Sequence, residues 1–216
     1  MKDYQPSRST VAADKQIQPI EREMCRRDRM RFLMRWVYTI NEIAPGEKTI
    51  ARLPYKEYIE RFVEVWKEPL LLIPKSRRMM ITWLEVAMCV HMFLFEPHRL
   101  IFFQGKREDD ASELVNRAKH IVTMLPKFMR PKTTSKHCLL KNEDNGSRIW
   151  GIPKGPDIIR MHTASMIFID EGGFIDELRS TLMGAKPCIE GGGKLHIVST
   201  LTASYFADLM DDIEEE

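Results

Sequence analysis

Residues 166–171 read Met-Ile-Phe-Ile-Asp-Glu and run into Gly172 and Gly173. Four apolar residues delivering two adjacent carboxylates into a glycine turn restrict the fold more than any other stretch. Apolar at every position, the run suits a parallel strand covered on both faces. Open α/β sheets gather ligands outside the carboxyl ends of their strands, so chemistry is expected at Asp170 and Glu171. The pair suits nucleotide hydrolysis, with Asp170 holding Mg²⁺ through its water shell and Glu171 taking a proton from the attacking water. A strand ending in a solvated acidic turn would carry the same residues.

A second segment bears on the choice. Leu70-Leu71-Leu72-Ile73-Pro74 reads as a strand, Lys75-Ser76-Arg77-Arg78-Met79-Met80-Ile81-Thr82 as a loop, and Trp83-Leu84-Glu85-Val86-Ala87-Met88 as the start of a helix. The usual phosphate loop is G-x-x-x-x-G-K-[ST] between strand and helix. With Thr82 on the final hydroxyl, Ile81 takes the lysine position, Met80 the second glycine and Lys75 the first. The physical requirements are looser than the pattern. They are backbone N–H groups at a helix N-terminus, one cation near the phosphates and one hydroxyl for Mg²⁺. Lys75 can supply the cation and Thr82 the hydroxyl, while Arg77 and Arg78 add charge. Met80 lacks the conformational freedom of glycine. A basic surface turn between a buried strand and a buried helix is the alternative.

Together the two segments resemble the ATPase domain of the large terminase subunit of tailed bacteriophages. Members often carry a deviant loop K-[SA]-R-[RQ]-x-G-[IVKY]-[ST]. Residues 75–82 match it except that Met80 stands in place of glycine. The resemblance implies that Lys75 takes the phosphate role, that Thr82 and Asp170 hold Mg²⁺ and that Glu171 is the catalytic base. Gly155-Pro156-Asp157-Ile158-Ile159-Arg160 is similar to the family's loop bearing an arginine finger that acts on a neighbour's ATP, with Arg160 as the matching residue. An ordinary surface arginine is the other reading. Lys194-Leu195-His196-Ile197-Val198, ending in Ser199-Thr200-Leu201-Thr202, is similar to the coupling motif that senses the γ-phosphate. A helix cap for the segment from Ala203 is equally open there. In motors of this kind the segment before the phosphate strand often holds adenine, which makes Arg52, Pro54 and Tyr55 candidates. The implied cofactors are ATP and Mg²⁺. The implied partners are double-stranded DNA, a portal protein, a small terminase subunit and further copies of the chain in a ring on the capsid. The implied location is the host cytoplasm, transiently at the procapsid portal.

Composition agrees with a soluble α/β domain. The chain has 216 residues, 44% apolar and 30% charged, with net charge +2. Near-neutral charge does not argue for a protein that coats DNA, though it leaves room for a local basic track. No apolar run approaches 18 residues, and the N-terminus lacks the apolar stretch of a secretion signal. Cys25, Cys89, Cys138 and Cys188 are far apart, which disfavours disulfides and zinc.

Along the chain, residues 1–19 read as a flexible polar arm and 20–48 as a basic helical segment. Its arginines interleave with Phe32, Leu33, Trp36, Val37 and Ile40, suiting a DNA backbone or, more simply, a solvated helix face. Pro45-Gly46 marks a turn. Helices are expected over 55–66, 82–95, 109–125 and around 178–185. Strands are expected over 99–103 and 194–198, with a hairpin of 137–141 and 148–152 around Glu143-Asp144-Asn145-Gly146. Alternation of strands and helices implies a mainly parallel sheet flanked by helices. Strand 99–103 lies between the phosphate-loop strand and the acidic strand, which agrees with what the resemblance implies, a P-loop NTPase of the additional-strand type. Residues 49–210 would form the ATPase domain and 211–216 an acidic tail, with no carboxylate cluster for a nuclease beyond it.

Two rival readings stay open. One is another oligomeric nucleic-acid-dependent or helicase-like ATPase, although 216 residues leave no room for a second sheet domain. The other is a scaffold that binds DNA or capsid, its loop decayed at Met80 and Ile81.

Overall fold

The computed structural model describes residues 7–41, 49–76, 79–202 and 204–214, except for the side chains of 212–214. The N-terminal arm is helical from residue 8. Ser7 caps α1 (Arg8–Ala13), its hydroxyl accepting from the Thr10 amide at 3.1 Å. Val11 is fully buried, which anchors a segment that composition alone marks as flexible. Two helices replace the expected single basic one. α2 (Ile17–Arg27) and α3 (Arg29–Trp36) are divided at Asp28, whose extended backbone ends the first. Its carboxylate caps the second, accepting from the Arg31 amide at 2.9 Å. Then β1 (Tyr38–Ile40) pairs antiparallel with β2 (Ile50–Arg52). The expected turn at Pro45-Gly46 lies outside the described residues.

The remaining elements follow the expected order closely. They are α4 (Tyr58–Val65), β3 (Leu70–Pro74), α5 (Ile81–Phe95), β4 (Leu100–Gln104), α6 (Glu108–Met124), β5 (Thr133–Lys136), β6 (Leu139–Asn142) and β7 (Arg148–Ile152). After them come α7 (Asp157–Met161), β8 (Met166–Asp170), α8 (Leu178–Glu190), β9 (Lys194–Ser199) and α9 (Tyr205–Glu214). The exposed polar strand β5 lacks the apolar alternation that would have announced it. α8 continues past its expected end through Pro187, with Cys188 buried against the sheet. The acidic tail is helical as far as Glu214, as part of α9.

A seven-stranded sheet runs in the order β3-β9-β8-β4-β7-β6-β5. The first five strands are mutually parallel, and β6 and β5 complete it as an antiparallel hairpin. One expectation needs correction. The strand between the phosphate-loop strand β3 and the acidic strand β8 is β9, whereas β4 lies on the far side of β8. Chain order puts 100–104 between them, but parallel neighbours are joined by crossovers, so spatial order need not follow chain order.

Alternate residues of the central strands feed two cores. Ile101, Phe103, Met166, Phe168 and Val198 pack with α5 and α6 on one face. Leu100, Phe102, Ile167, Ile169, Leu195 and Ile197 pack on the other against residues of α7, α8 and α9. α5 is buried along its length because the sheet covers one side and α3 contributes Phe32, Leu33 and Trp36 to the same core. Each such large apolar side chain stabilises the fold by roughly 1.5–3 kcal/mol. The N-terminal helices therefore belong to the body of the domain. Their charge is used internally too, since Glu21, 1% exposed, bonds Arg31 at 2.6 Å and the Trp36 indole at 2.9 Å. Because β3, β9, β8, β4 and β7 are parallel, their carboxyl ends share one edge of the sheet.

Candidate active site

That edge assembles residues from three distant segments. Lys75 leaves β3 with its amide donating to the Ser199 carbonyl at 2.8 Å, which extends the β3–β9 pairing by one bond. Its ammonium lies 2.8 Å from both Thr82 Oγ1 and Asp170 Oδ1, and 3.2 Å from Glu171 Oε1. Thr82 Oγ1 lies 3.2 and 3.1 Å from the two Asp170 oxygens. These groups are half-shielded from water, at 11% side-chain exposure for Lys75 and 17% for Asp170. An ammonium facing two carboxylates in such a place is strongly held, because screening is weaker than at an open surface.

The loop reaches this position through an unusual backbone. Met80 precedes α5 in the left-handed conformation, φ 57° and ψ 15°. This region favours glycine, the residue that the phosphate-loop patterns place at Met80. The chain thus makes the glycine-type turn with a methionine. Met79 holds it from two sides, its carbonyl accepting from the Tyr58 hydroxyl and its sulfur lying 3.4 Å from the Ser76 amide. Arg77 and Arg78, expected to add charge, lie outside the described residues.

Glu171 is likewise left-handed, at φ 53° and ψ 42°. The turn that follows it is tight. A Cβ at Gly172 would lie 2.4 Å from the Ile197 side chain, so only glycine fits there. Ser199 and Thr200 join this turn rather than a helix cap. Ser199 Oγ accepts from the Gly173 amide at 3.0 Å, and the Thr200 amide donates to Glu171 Oε2 at 3.2 Å. The end of β9 thus holds the carboxylate of Glu171 directly.

A cavity of about 330 Å³ opens over these groups, bordered by Lys75, Met80, Thr82, Glu171 and Thr200 together with Trp83 and Arg117. Ser76, Met79 and Ile81 also border it. Thr82 and Asp170 offer hard oxygen donors side by side, which fits a Mg²⁺ ion with most of its water shell retained.

Arg160 lies elsewhere. It sits on α7, where a loop was expected, in a cleft with Met161, His162, Gly184 and Pro187. It is 55% exposed and contacts only Asp157, at 4.0 Å, among the described ion pairs. Of the adenine candidates, Tyr55 is exposed and donates to Glu60 at 2.9 Å. Arg52 is an exposed residue of β2 and Pro54 an exposed one beyond it. The tyrosine that touches the loop is Tyr58. It and Arg117 escaped the sequence reading, because a tyrosine at helical spacing reads as core and a lone arginine on a charged helix reads as solvated.

No protein-family model matches this sequence. Among solved structures, the chain is similar to the large terminase of bacteriophage HK97, with a TM-score of 0.66 and 14% identity over 85% of this chain and 40% of that one. It is similar to the ATPase domain of the Thermus phage P74-26 large terminase, with a TM-score of 0.55 and 13% identity over 77% of this chain and 74% of that one. A third large terminase, from another thermophilic bacteriophage, matches at 0.60 and 13% identity, over 76% of this chain and 44% of that one. This third protein is also known in complex with ADP and with ATP-γ-S. The chain has the mainly parallel α/β fold of large terminase ATPase domains, and it spans less than half the length of the first and third of these proteins.

Proposed function

We propose that a chain with this fold works as the ATPase domain of a large terminase subunit, hydrolysing ATP with Mg²⁺ to drive double-stranded DNA into a procapsid. The observation that carries the reading is the meeting of Lys75, Thr82, Asp170 and Glu171. They come from a loop that departs from the usual pattern and a strand far from it in sequence, yet they meet within hydrogen-bond distance.

Lys75 and the amides of residues 76–82 bind the phosphates, the lysine exchanging carboxylate contacts for phosphate oxygens. Thr82 and Asp170 are the residues that would hold Mg²⁺, which when bound offsets charge on the phosphate oxygens. Glu171, oriented by the Thr200 amide, takes the proton of the attacking water. Through that hydrogen bond Thr200, and through the one from the Gly173 amide Ser199, relay the state of the site to β9. Arg160, exposed and far from its own subunit's cavity, serves a neighbour's site as an arginine finger. Such a group contributes about 10³–10⁵ in rate, so an isolated subunit is slow. The residues that carry this activity lie within 49–210, in a domain body that the N-terminal helices complete, and the partners are the DNA, a portal, a small subunit and further copies in a ring.

The test is ATP turnover against protein concentration for the parent, Lys75→Ala, Glu171→Gln and Arg160→Ala. Parent turnover should rise faster than linearly, and each variant should lose at least about 10²-fold. A Glu171→Gln protein as fast as the parent removes the assignment of the base. A parent that neither binds nor hydrolyses ATP removes the ATPase reading altogether and favours the scaffold.

A further inference from the structure

We infer that Arg117, on α6, is a second cation of the nucleotide site and meets the terminal phosphate of ATP from within the same subunit; this rests on the ATPase reading above. Arg117 borders the cavity over Lys75, Thr82 and Thr200. It also borders an adjoining cavity of about 290 Å³ beside Asp170 and Phe174. Glu171 also borders both, so Arg117 and Glu171 stand together where the two cavities meet.

Its side chain is held in place without being used up. The guanidinium carbon lies 5.3 Å from the ring centre of Trp83, the residue after Thr82. Trp83 stands edge-on to His120, one turn along α6, at 6.0 Å between ring centres. A tryptophan face under a guanidinium orients it without occupying its N–H groups. The one ion pair it makes among the described residues, to Glu113 at 3.7 Å, is a long i,i+4 contact of small value. Five donors in a planar fork suit phosphate oxygens better than they suit that contact.

Charge balance asks for such a group. In the cluster of described residues, Lys75 (+1), Asp170 (−1) and Glu171 (−1) sum to −1, and a negative cluster repels phosphate. Among the described residues bordering the phosphate cavity, Arg117 is the other cation. It adds a second positive charge at the border of the same cavity as Lys75.

The experiment compares the parent, Arg117→Ala and Arg117→Lys in ATP turnover, ADP affinity and thermal midpoint. It then mixes Arg117→Ala with Glu171→Gln. Arg117→Ala should lower turnover about 10²-fold or more while its melting temperature and ADP affinity change little. Arg117→Lys should recover only part of the rate, because the charge returns but the fork does not. The mixture should stay as slow as its components, because each subunit's site lacks one of its own groups. Parent-like turnover in both variants overturns the inference, and so does recovery on mixing, which would assign Arg117 to a neighbour's site. A parent without ATP binding or turnover instead overturns the ATPase reading on which the inference rests.

Discussion

Met80 and Glu171 share a left-handed backbone, and both border the cavity over Lys75 and Thr82. Four described residues other than glycine have positive φ, so half of this strain sits at one site. A non-glycine residue there costs about 1–2 kcal/mol. Strain of this kind persists where the surroundings fix the conformation, and functional sites are where it collects. At Met80 the backbone need is met by a side chain that is half-buried against the core. Met80→Gly removes the strain but also that packing, and it adds chain entropy to the unfolded state. The variant is expected to melt close to the parent, within about 1 kcal/mol of its stability, and to bind ATP more tightly through closer approach of the loop backbone. Thermal melts with and without ATP check both, since a tighter ligand raises the midpoint further. A large loss of stability would show that methionine packing outweighs the strain.

At the level of elements, α5 and β9 are joined through a buried polar cluster one helical turn from Thr82. Glu85 is fully buried, and its Oε1 lies 2.9 Å from both the Trp66 indole nitrogen and His196 Nδ1. His196, also fully buried on β9, reaches the Glu68 carbonyl through Nε2 at 3.3 Å. The helix that starts at the phosphate loop is thereby tied to the strand that ends at Ser199 and Thr200. Glu85→Leu strands the indole N–H and the imidazole in an apolar interior, at an expected cost of about 3–5 kcal/mol. Glu85→Gln keeps an acceptor at that place and should lose well under half as much. Equilibrium unfolding in denaturant separates the two, and equal losses would mean that the charge of the carboxylate, rather than an acceptor at that place, holds α5 to β9.

For the whole molecule, one contribution to acid stability lies where the N-terminal helices meet the sheet domain. His91 on α5 is buried, bonds the Cys25 carbonyl at 2.9 Å through Nε2, and has its pKa lowered from 6.5 to about 4 by burial. A histidine whose pKa is depressed on folding opposes protonation. As pH falls from 6.5 towards 4 the unfolded chain binds the proton and the folded one does not, so stability declines through that window. Burial also works to raise the carboxyl of Glu21, but hydrogen bonds from Arg31 and Trp36 and the charges of Arg35 and Arg31 win and hold it below the usual range. Its contribution is present above that range and is lost at still lower pH. His91→Phe should make the melting temperature fall less between pH 6.5 and 4, leaving the part due to His120, whose pKa burial also lowers, and the lower-pH decline. A variant with an unchanged pH profile would assign the upper transition to another group.

Unbroken apolar runs announced β3 and β8, a stretch apolar almost all round announced α5, and helical spacing announced α6, because burial of a face follows from residue pattern. The alternation of these elements determined a mainly parallel sheet. The arm at 1–19 misled for the converse reason, since Val11 is a single apolar residue and its burial depends on Trp36 and its neighbours, not on its own segment. Strand order was equally hidden. Period says that both faces of 194–199 are covered, but not that β9 rather than β4 lies beside β3, since crossovers can carry a parallel strand past its chain neighbours. So the sequence alone determined most of the kinds of elements and which residues to look for at the strand ends. Tertiary structure decided which of them meet, bringing Arg117, Tyr58 and the tie from Glu85 to His196 to the site, because contact between distant segments leaves no periodic trace in either.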